Sequence, residues 1–571
     1  MAGSIHLGLY PQCGACADMI LRHERVVALY GDDASTSFRG ITRPFIFPQL
    51  GYCLAEVDGF SLCRRPGCGR CAISPEFVPL HWECVEVFRN KCALEWSEAL
   101  RRLWVAAAWR IPWRGALPMF FPIDASSSPS LKASCDICEF SQLDKLPLEL
   151  LQIIQSYSEH ASLWRSALVS DLASRIAHET SDSLITMPLK DIVFWERGKR
   201  PQLTSSLPFL PLMRIAVDAA GISMIERVSA QPYKGECHNS CAYMLADEEA
   251  VSRYRAQLKD GLLRLDLDPS SHSPALWNTP SPPDLQLCRA YEIELQRYLR
   301  FRRLFAVDLD RVRGITFFFS HGLHGVHVHR STASCASSSL QRCSNRRRRF
   351  LLWYYLPLAD QDRILVLGIR LSANLRFNIL VRMQKAGDVV IGPNIPDSAD
   401  DRCLGANAPI TLVYGDPQEG RDVPYFGAYC QPTSGDQLPK RFQTYNPESY
   451  PLGEDAYLSM APLEGIRSVD LFYDQDRRHC RGMILYYYHG GCRAVGQCRL
   501  LVDSTTQFVK PLQLCFRIDS VRDRSRTLYT VEAEWNADPH IHNTKGWECK
   551  PLEGKLIYWY TRDSSFIAIE K

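Results

Sequence analysis

At 571 residues the chain is several times the length of an ordinary domain, so about two to four domains with ample hydrophobic core are expected. With 46% hydrophobic and 23% charged residues it reads as a globular protein, and a formal net charge of +3 offers no field that would gather nucleic acid. No apolar run is long enough to span a bilayer and the opening "MAGSIHLGLYPQCGACADMIL" has no basic stretch ahead of an apolar one, so no membrane partner is expected, and the location is cytoplasmic, nuclear or both.

Residues 1–123 form the first predicted unit, a small Cys/His module of zinc-binding type with a long helix. Ten of the 22 cysteines precede residue 139, and in a reducing compartment such a concentration points to thiols or metal ligands rather than disulfides. Cys13 and Cys16 form a CxxC, Cys68 and Cys71 form another, and His81 with Cys84 forms an HxxC at the head of "HWECVEVFRNKCALEWSEALRRLWVAAAWR", the predicted long helix. Zinc takes tetrahedral sets of thiolate and imidazole, commonly one pair on a tight turn and another at a helix start, where the helix dipole favours thiolate. The favoured set is Cys13, Cys16, His81 and Cys84 around a structural zinc, with Cys68 and Cys71 as further ligands. An alternative pairing sends Cys13 and Cys16 to Cys53 and Cys63, and the bland alternative leaves all these thiols free and buried. Cys135 and Cys138 have no adjacent histidine and stay unassigned.

The serine-rich stretch at 124–142 reads as a linker. A helical segment follows at 143–180. Pro147 suits a first helical turn, where its missing N–H would have no partner, and Glu149 beside it favours the positive end of the dipole. Leu150, Leu151, Ile154 and Tyr157 recur at three- and four-residue spacing, and a second helix carries Leu163, Trp164, Leu168, Val169, Leu172 and Ile176. Two such short helices cannot cover all that surface on each other, so the rest of the chain or a partner must.

"LPLELLQIIQSYS" followed after a short gap by "LWRSALVS" resembles the F-box, the helical motif that docks the Skp1-type adaptor of cullin ubiquitin ligases. The resemblance implies adaptor contacts from Leu146, Pro147, Leu150, Leu151, Ile154, Tyr157, Leu168 and Val169. The usual aromatic or arginine-rich continuation is replaced here by "DLASRI". The order of parts resembles fungal F-box-domain-containing proteins with a cysteine-rich start and a β-rich tail, through "LWVAAAWRIPWRG", "GITFFFSHG" and "AVGQCRL". That wider likeness implies architecture alone, whereas the F-box resemblance implies a substrate receptor that is not itself an enzyme and that recruits an unknown protein target for ubiquitination.

Residues 181–285 read as a mainly helical connecting region, as in "DEEAVSRYRAQLKDGLLRL", closed by the Pro/Ser-rich "DPSSHSPALWNTPSPPDL". From 286 to 571 short β-branched and aromatic runs dominate and predict a β-rich target-binding domain, a sandwich, prism or propeller. Stretches beginning at Gly314, Gly482 and Gly554 each read as a hairpin. The insert near 331–349, low in complexity and ending in Arg346 to Arg349, reads as disordered; a nuclear-import address is the sharp reading of those arginines. Strands such as "LVLGIRLSANLRFNILVRMQKAGDVVIGP" faintly resemble those of jacalin-type lectins, which implies carbohydrate binding without a ligase role as the alternative function. The HxH pairs His327/His329 and His540/His542 would suit a metalloenzyme, but neither has a further ligand at fixed spacing, and Walker, GxSxG and HExxH patterns are absent from the sequence. The overall expectation is a multidomain α+β protein.

Overall fold

In a computed structural model of the chain, the residues described are 5–31, 37–65, 68–72, 74–140, 142–158, 160–179, 181–203, 210–229, 237–267, 274–292, 303–331, 335–341, 343, 345–372, 377–393, 395, 400–407, 409–417, 421–430, 440–442, 445, 451–453, 456–474, 476, 478–523, 526–538, 542 and 545–570. The fold is mixed, strand outweighing helix by 46% to 18%, and no closed barrel occurs among the described residues. Two compact units divide it: Met1–Pro282 with Leu295–Leu304, and Pro283–Glu294 with Phe305–Lys571.

The first unit opens with β1 (Ile5–Gly8), β2 (Arg25–Gly31), β3 (Phe38–Ile41), β4 (Phe45–Ile46), β5 (Cys53–Val57), β6 (Phe60–Cys63), α1 (Gly69–Ala72), β7 (Glu76–His81), α2 (Trp82–Lys91) and α3 (Trp96–Ala108). Strand β1 lies parallel to β6, which pairs antiparallel with β5. In β2 the run Val26 to Leu29 is wholly buried, the pattern of a central strand covered on both faces, and it pairs antiparallel with β7, β3 and β4. The predicted long helix is two helices. Cys92 is extended (φ −79°, ψ 121°), and the Glu95 carboxylate accepts the Ser97 N–H at 2.8 Å, capping α3.

Three further helices follow, α4 (Leu131–Ile137), α5 (Leu148–Tyr157) and α6 (Ser162–His178). Residues 124–142 are thus more than a linker: Ala125, Leu131 and Cys135 are buried with Leu151, Leu163, Trp164 and Ala167. Small apolar side chains among the serines supply that anchor, and Asp171 of α6 accepts from the Ser128 hydroxyl and the Ser130 N–H. The far end of α6 joins a different core. Val169, Leu172, Ala173 and Ile176 are buried together with β2, β7 and α3.

The region 181–285 is corrected from helix to sheet. Its strands include Ile192–Glu196, Leu212–Asp218, Gly221–Val228, Ala242–Asp247, Arg255–Lys259 and Leu262–Asp266, and one short helix, Glu248–Arg253, is capped by Asp247. After that helix the burial period changes from helical to alternating, with Ala256 and Leu258 inward. Asp260 and Gly261, at φ 50° and 67°, then form a two-residue turn between paired Lys259 and Leu262, the hairpin signature of Asp-Gly.

The second unit is β-rich. All three expected hairpins are present: Gly314–Phe319 with Leu323–His329, Cys480–Tyr487 with Cys492–Gly496, and Lys555–Tyr560 with Ser565–Glu570. They belong to three- and four-stranded antiparallel sheets, and Phe317, Leu471, Leu485 and Tyr558 of these sheets share one core with Leu367, Leu412 and Trp535 from other strands of the unit. The described part of the 331–349 insert is corrected from disorder to packed structure. It holds two short helices, Ser337–Gln341 and Asn345–Arg348. Ala336 and Cys343 are buried against Phe318 and Trp353, while Arg347 reaches Asp422 at 3.2 Å. Its few apolar residues suffice as anchors because a large aromatic surface already stands beneath them.

Candidate metal centres and an outward helix face

In the first centre, Cys13 and Cys16 sit on the loop between β1 and β2. That loop is closed by Ala17 N–H to Cys13 O at 2.8 Å and Cys13 N–H to Asp18 O at 2.9 Å, with Ala17 at φ 62°. Arg110 fixes it from outside, donating Nε to Gly14 O and Nη2 to Ala15 O, both at 2.6 Å. His81 ends β7 and Cys84 lies in the first turn of α2, so the second ligand pair meets the positive end of a helix. The structure brings together all four residues of the favoured set. Their ligand atoms lie within 4.8 Å of one another, all buried, and could hold a metal ion. Cys16 Sγ and Cys84 Sγ stand 3.5 and 3.6 Å from His81 Nδ1, and Cys13 Sγ accepts the His81 N–H at 3.4 Å.

Four ionisable groups so confined compete for protons. Burial opposes a Cys13 thiolate, but hydrogen bonds with Cys16 and Cys84 and the charge of His81 hold this thiol well below its usual range. Burial likewise opposes a charged His81, yet Cys13, Cys16 and Glu24 outweigh it and push the imidazole up to about 12. Burial raises the Cys16 thiol, and the hydrogen bonds with Cys13 and Cys16 raise that of Cys84. A cation at the centre would take the place of the protons these groups share. Behind the imidazole, His81 Nε2 lies 3.4 Å from Glu24 Oε2. Arg165 of α6 donates to Glu24 at 2.9 Å and to Asp18 at 2.8 Å, and His160 Nδ1 lies 2.8 Å from Asp18.

The second centre comprises His6, Cys63, Cys68 and Cys71, again within 4.8 Å of one another. Cys68 and Cys71 flank the start of α1, and Cys63 ends β6 next to β1, which carries His6. His6 Nδ1 is 3.6 Å from Cys68 Sγ and 3.9 Å from Cys53 Sγ. Burial resists ionisation of Cys68, but the N–H groups of Cys71 and Arg70 and the His6 side chain bring it down to about 6. Cys71 moves the other way, raised by burial and by Cys63 and Cys68. Cys68 and Cys71 thus belong to a centre of their own, and Cys63 joins them rather than Cys13 and Cys16. His6 escaped the sequence reading because it is a lone histidine, placed by the register of a parallel pair.

In the segment 143–176, α5 carries two apolar faces. Leu151 is buried and Ile154 half-buried against α4 and α6, with Leu146 and Leu168 beside them, and Val169 is fully buried in the β2 core. Leu150 (46% exposed), Ile153 (52%) and Tyr157 (89%) point outward at i, i+3 and i+7, below exposed Pro147 and Leu148. The predicted single stripe is split: Leu150 and Tyr157 face out, and Leu151 and Ile154 face in.

The pair His327/His329 is held by hydroxyl partners, Ser339 at 2.8 Å and Thr316 at 2.8 Å. His540 lies outside the described residues. No described helix is long and apolar enough to cross a membrane. No family model matches this chain, and no curated protein matches it.

Proposed function

We propose that this chain is an F-box-type substrate receptor, a non-catalytic component of a cullin ubiquitin ligase. It docks a Skp1-type adaptor through α5 and recruits a protein target through the β-rich second unit. The observation that carries this reading is the outward row Leu150, Ile153 and Tyr157 on the helix that follows "LPLELL", three large apolar side chains left in water. A solvated apolar row of this size favours a protein partner. The inward residues Leu151, Ile154 and Val169 serve as the support that holds the docking helix rigid.

In the same reading both centres of the first unit hold structural zinc. Zn–S near 2.3 Å and Zn–N near 2.0 Å at a tetrahedral angle put ligand atoms about 3.5 Å apart. The Cys16–His81, Cys84–His81 and Cys68–His6 separations of 3.5, 3.6 and 3.6 Å fit that edge. Four ligands per site fill the coordination sphere, which suits a structural ion rather than a catalytic one.

The test is direct binding of the purified full chain to a recombinant Skp1-type adaptor. Leu150→Asp with Tyr157→Asp places charge on exposed positions, so the fold should persist while affinity falls about 100-fold or more. Leu151→Asp serves as the contrasting variant, since it should damage the fold itself. Unchanged adaptor affinity in the folded double variant overturns the docking reading.

A further inference from the structure

The second unit contains one more cluster of metal-binding type among the described residues. Cys515 lies on the strand Gln513–Asp523, the centre of a three-stranded antiparallel sheet. Its register partner on one side is Glu534 of Arg526–Asn536, and on the other Cys549 of Trp547–Pro551. Directly opposed residues of antiparallel strands project from the same face, so Glu534, Cys515 and Cys549 form a row across all three strands. His542, from the connection between the second and third strands, completes the group: the ligand atoms of Cys515, His542 and Cys549 lie within 4.8 Å of one another.

The imidazole is held in place by its surroundings. It stacks on Trp547 with ring centroids 4.2 Å apart and planes 14° from parallel, and the Arg517 guanidinium lies 5.8 Å from the Trp547 ring centre. His542 Nε2 is also 3.6 Å from Glu534 Oε2, longer than a hydrogen bond, so the carboxylate stands beside the group rather than within it. Asn536 Nδ2 points at Cys515 Sγ from 3.6 Å, a donor suited to a thiolate.

We propose that Cys515, Cys549 and His542 supply three ligands of a third metal site, independent of the first unit, that binds a thiolate-preferring divalent cation such as zinc. Two thiolates and an imidazole select such a cation over magnesium or calcium, which prefer all-oxygen shells. The ion would tie His542 to the face of the sheet, beside its stack on Trp547.

The experiment is metal analysis of the full chain purified under reducing conditions, followed by cobalt substitution. Wild type should carry about three zinc ions per chain, and Cys515→Ser with Cys549→Ser about two. His542→Ala, in the connection rather than in the sheet, should also lower the count and keeps the test open where the thiol changes disturb folding. Cobalt in the wild type should show a thiolate charge-transfer band that weakens in both variants, while Cys13→Ser with Cys84→Ser removes the metal of the first centre and leaves the third site filled. A metal count unchanged in both second-unit variants overturns the proposal. So does a wild type whose Cys515 and Cys549 resist thiol reagents without reductant and yield to them with it, the behaviour of a cross-strand disulfide.

Discussion

Replacing Arg165 with methionine would remove the guanidinium that joins α6 to the loop of the first centre. Arg165 is 7% exposed and bonds Asp18 at 2.8 Å and Glu24 at 2.9 Å. Breaking a fully buried pair costs about 3–5 kcal/mol, because a charge is left uncompensated. Here Asp18 and Glu24 keep 17% and 26% of their side-chain surface and Asp18 retains His160, so about 2 kcal/mol is the better figure. Two separate units make a single global unfolding midpoint ambiguous. Hydrogen exchange read on α6 peptides is the suitable assay, and 2 kcal/mol corresponds to about 30-fold faster exchange. Arg101→Met, which removes an exposed pair at 3.5 Å, should change exchange less than about twofold. The pH dependence has a definite sign. Burial works against the Glu24 carboxylate, but His81, the Leu21 N–H and Arg165 bring it from 4.5 to about 2. A depressed carboxylate stabilises above its unfolded value and stops doing so as pH falls through its folded one, so the difference between wild type and variant should close between pH 4.5 and about 2. Exchange in α6 that is the same in Arg165→Met as in wild type at neutral pH would refute the reasoning.

Gly14→Ala would place a Cβ 2.3 Å from Val78 Cγ1 and 2.7 Å from Ala107 Cβ. The loop of Cys13 and Cys16 must then move, and a loss of about 2 kcal/mol with lower metal retention is expected by hydrogen exchange on first-unit peptides and metal analysis; wild-type exchange there would count against this packing. His81→Ala should lower the zinc content by about one ion per chain, whereas Cys92→Ala, which is half-buried and outside both centres, should leave it unchanged; equal loss in both would argue against the ligand assignment.

What the sequence disclosed depended on how local each signal was. CxxC and HxxC spacings, the proline at the start of α5 and the three hairpins are set within a few residues of chain, and each was legible. His6 was not, because only the pairing of β1 with β6, 55 residues further on, carries it to Cys68. The split between α2 and α3 rests on one carboxylate folding back onto the Ser97 N–H, a capping choice that a long helical pattern hides. In 248–266 the polar, long-chained residues suit helix by propensity, and the tertiary sheet together with the Asp-Gly turn decides otherwise. On α5, apolar residues at 148, 150, 151, 153 and 154 surround the helix on most sides. Their spacing could not tell the inward face from the outward one, since that choice is made by where α4 and α6 pack.

The order of ligands along the chain gives the two first-unit centres a mechanical relation. Cys16 and His81 of one centre are 65 residues apart, and His6 and Cys68 of the other are 62 apart. Each loop encloses ligands of the other centre. A cation holding Cys13 to His81 shortens the path from His6 to Cys68 to about 20 residues, through Cys13 on one side and His81 on the other, and the loop-closure cost falls by roughly 1 kcal/mol. Filling one centre thereby favours the other about fivefold before any contact in the folded state is counted. Because Arg165 joins α6 to Glu24 behind His81, the same closure also sets the helix on which the inward face of α5 rests. In the proposed receptor, the metal centres and the docking helix would therefore be ordered as one event, with the outward row of α5 presented on a scaffold that no longer has to be organised when a partner arrives.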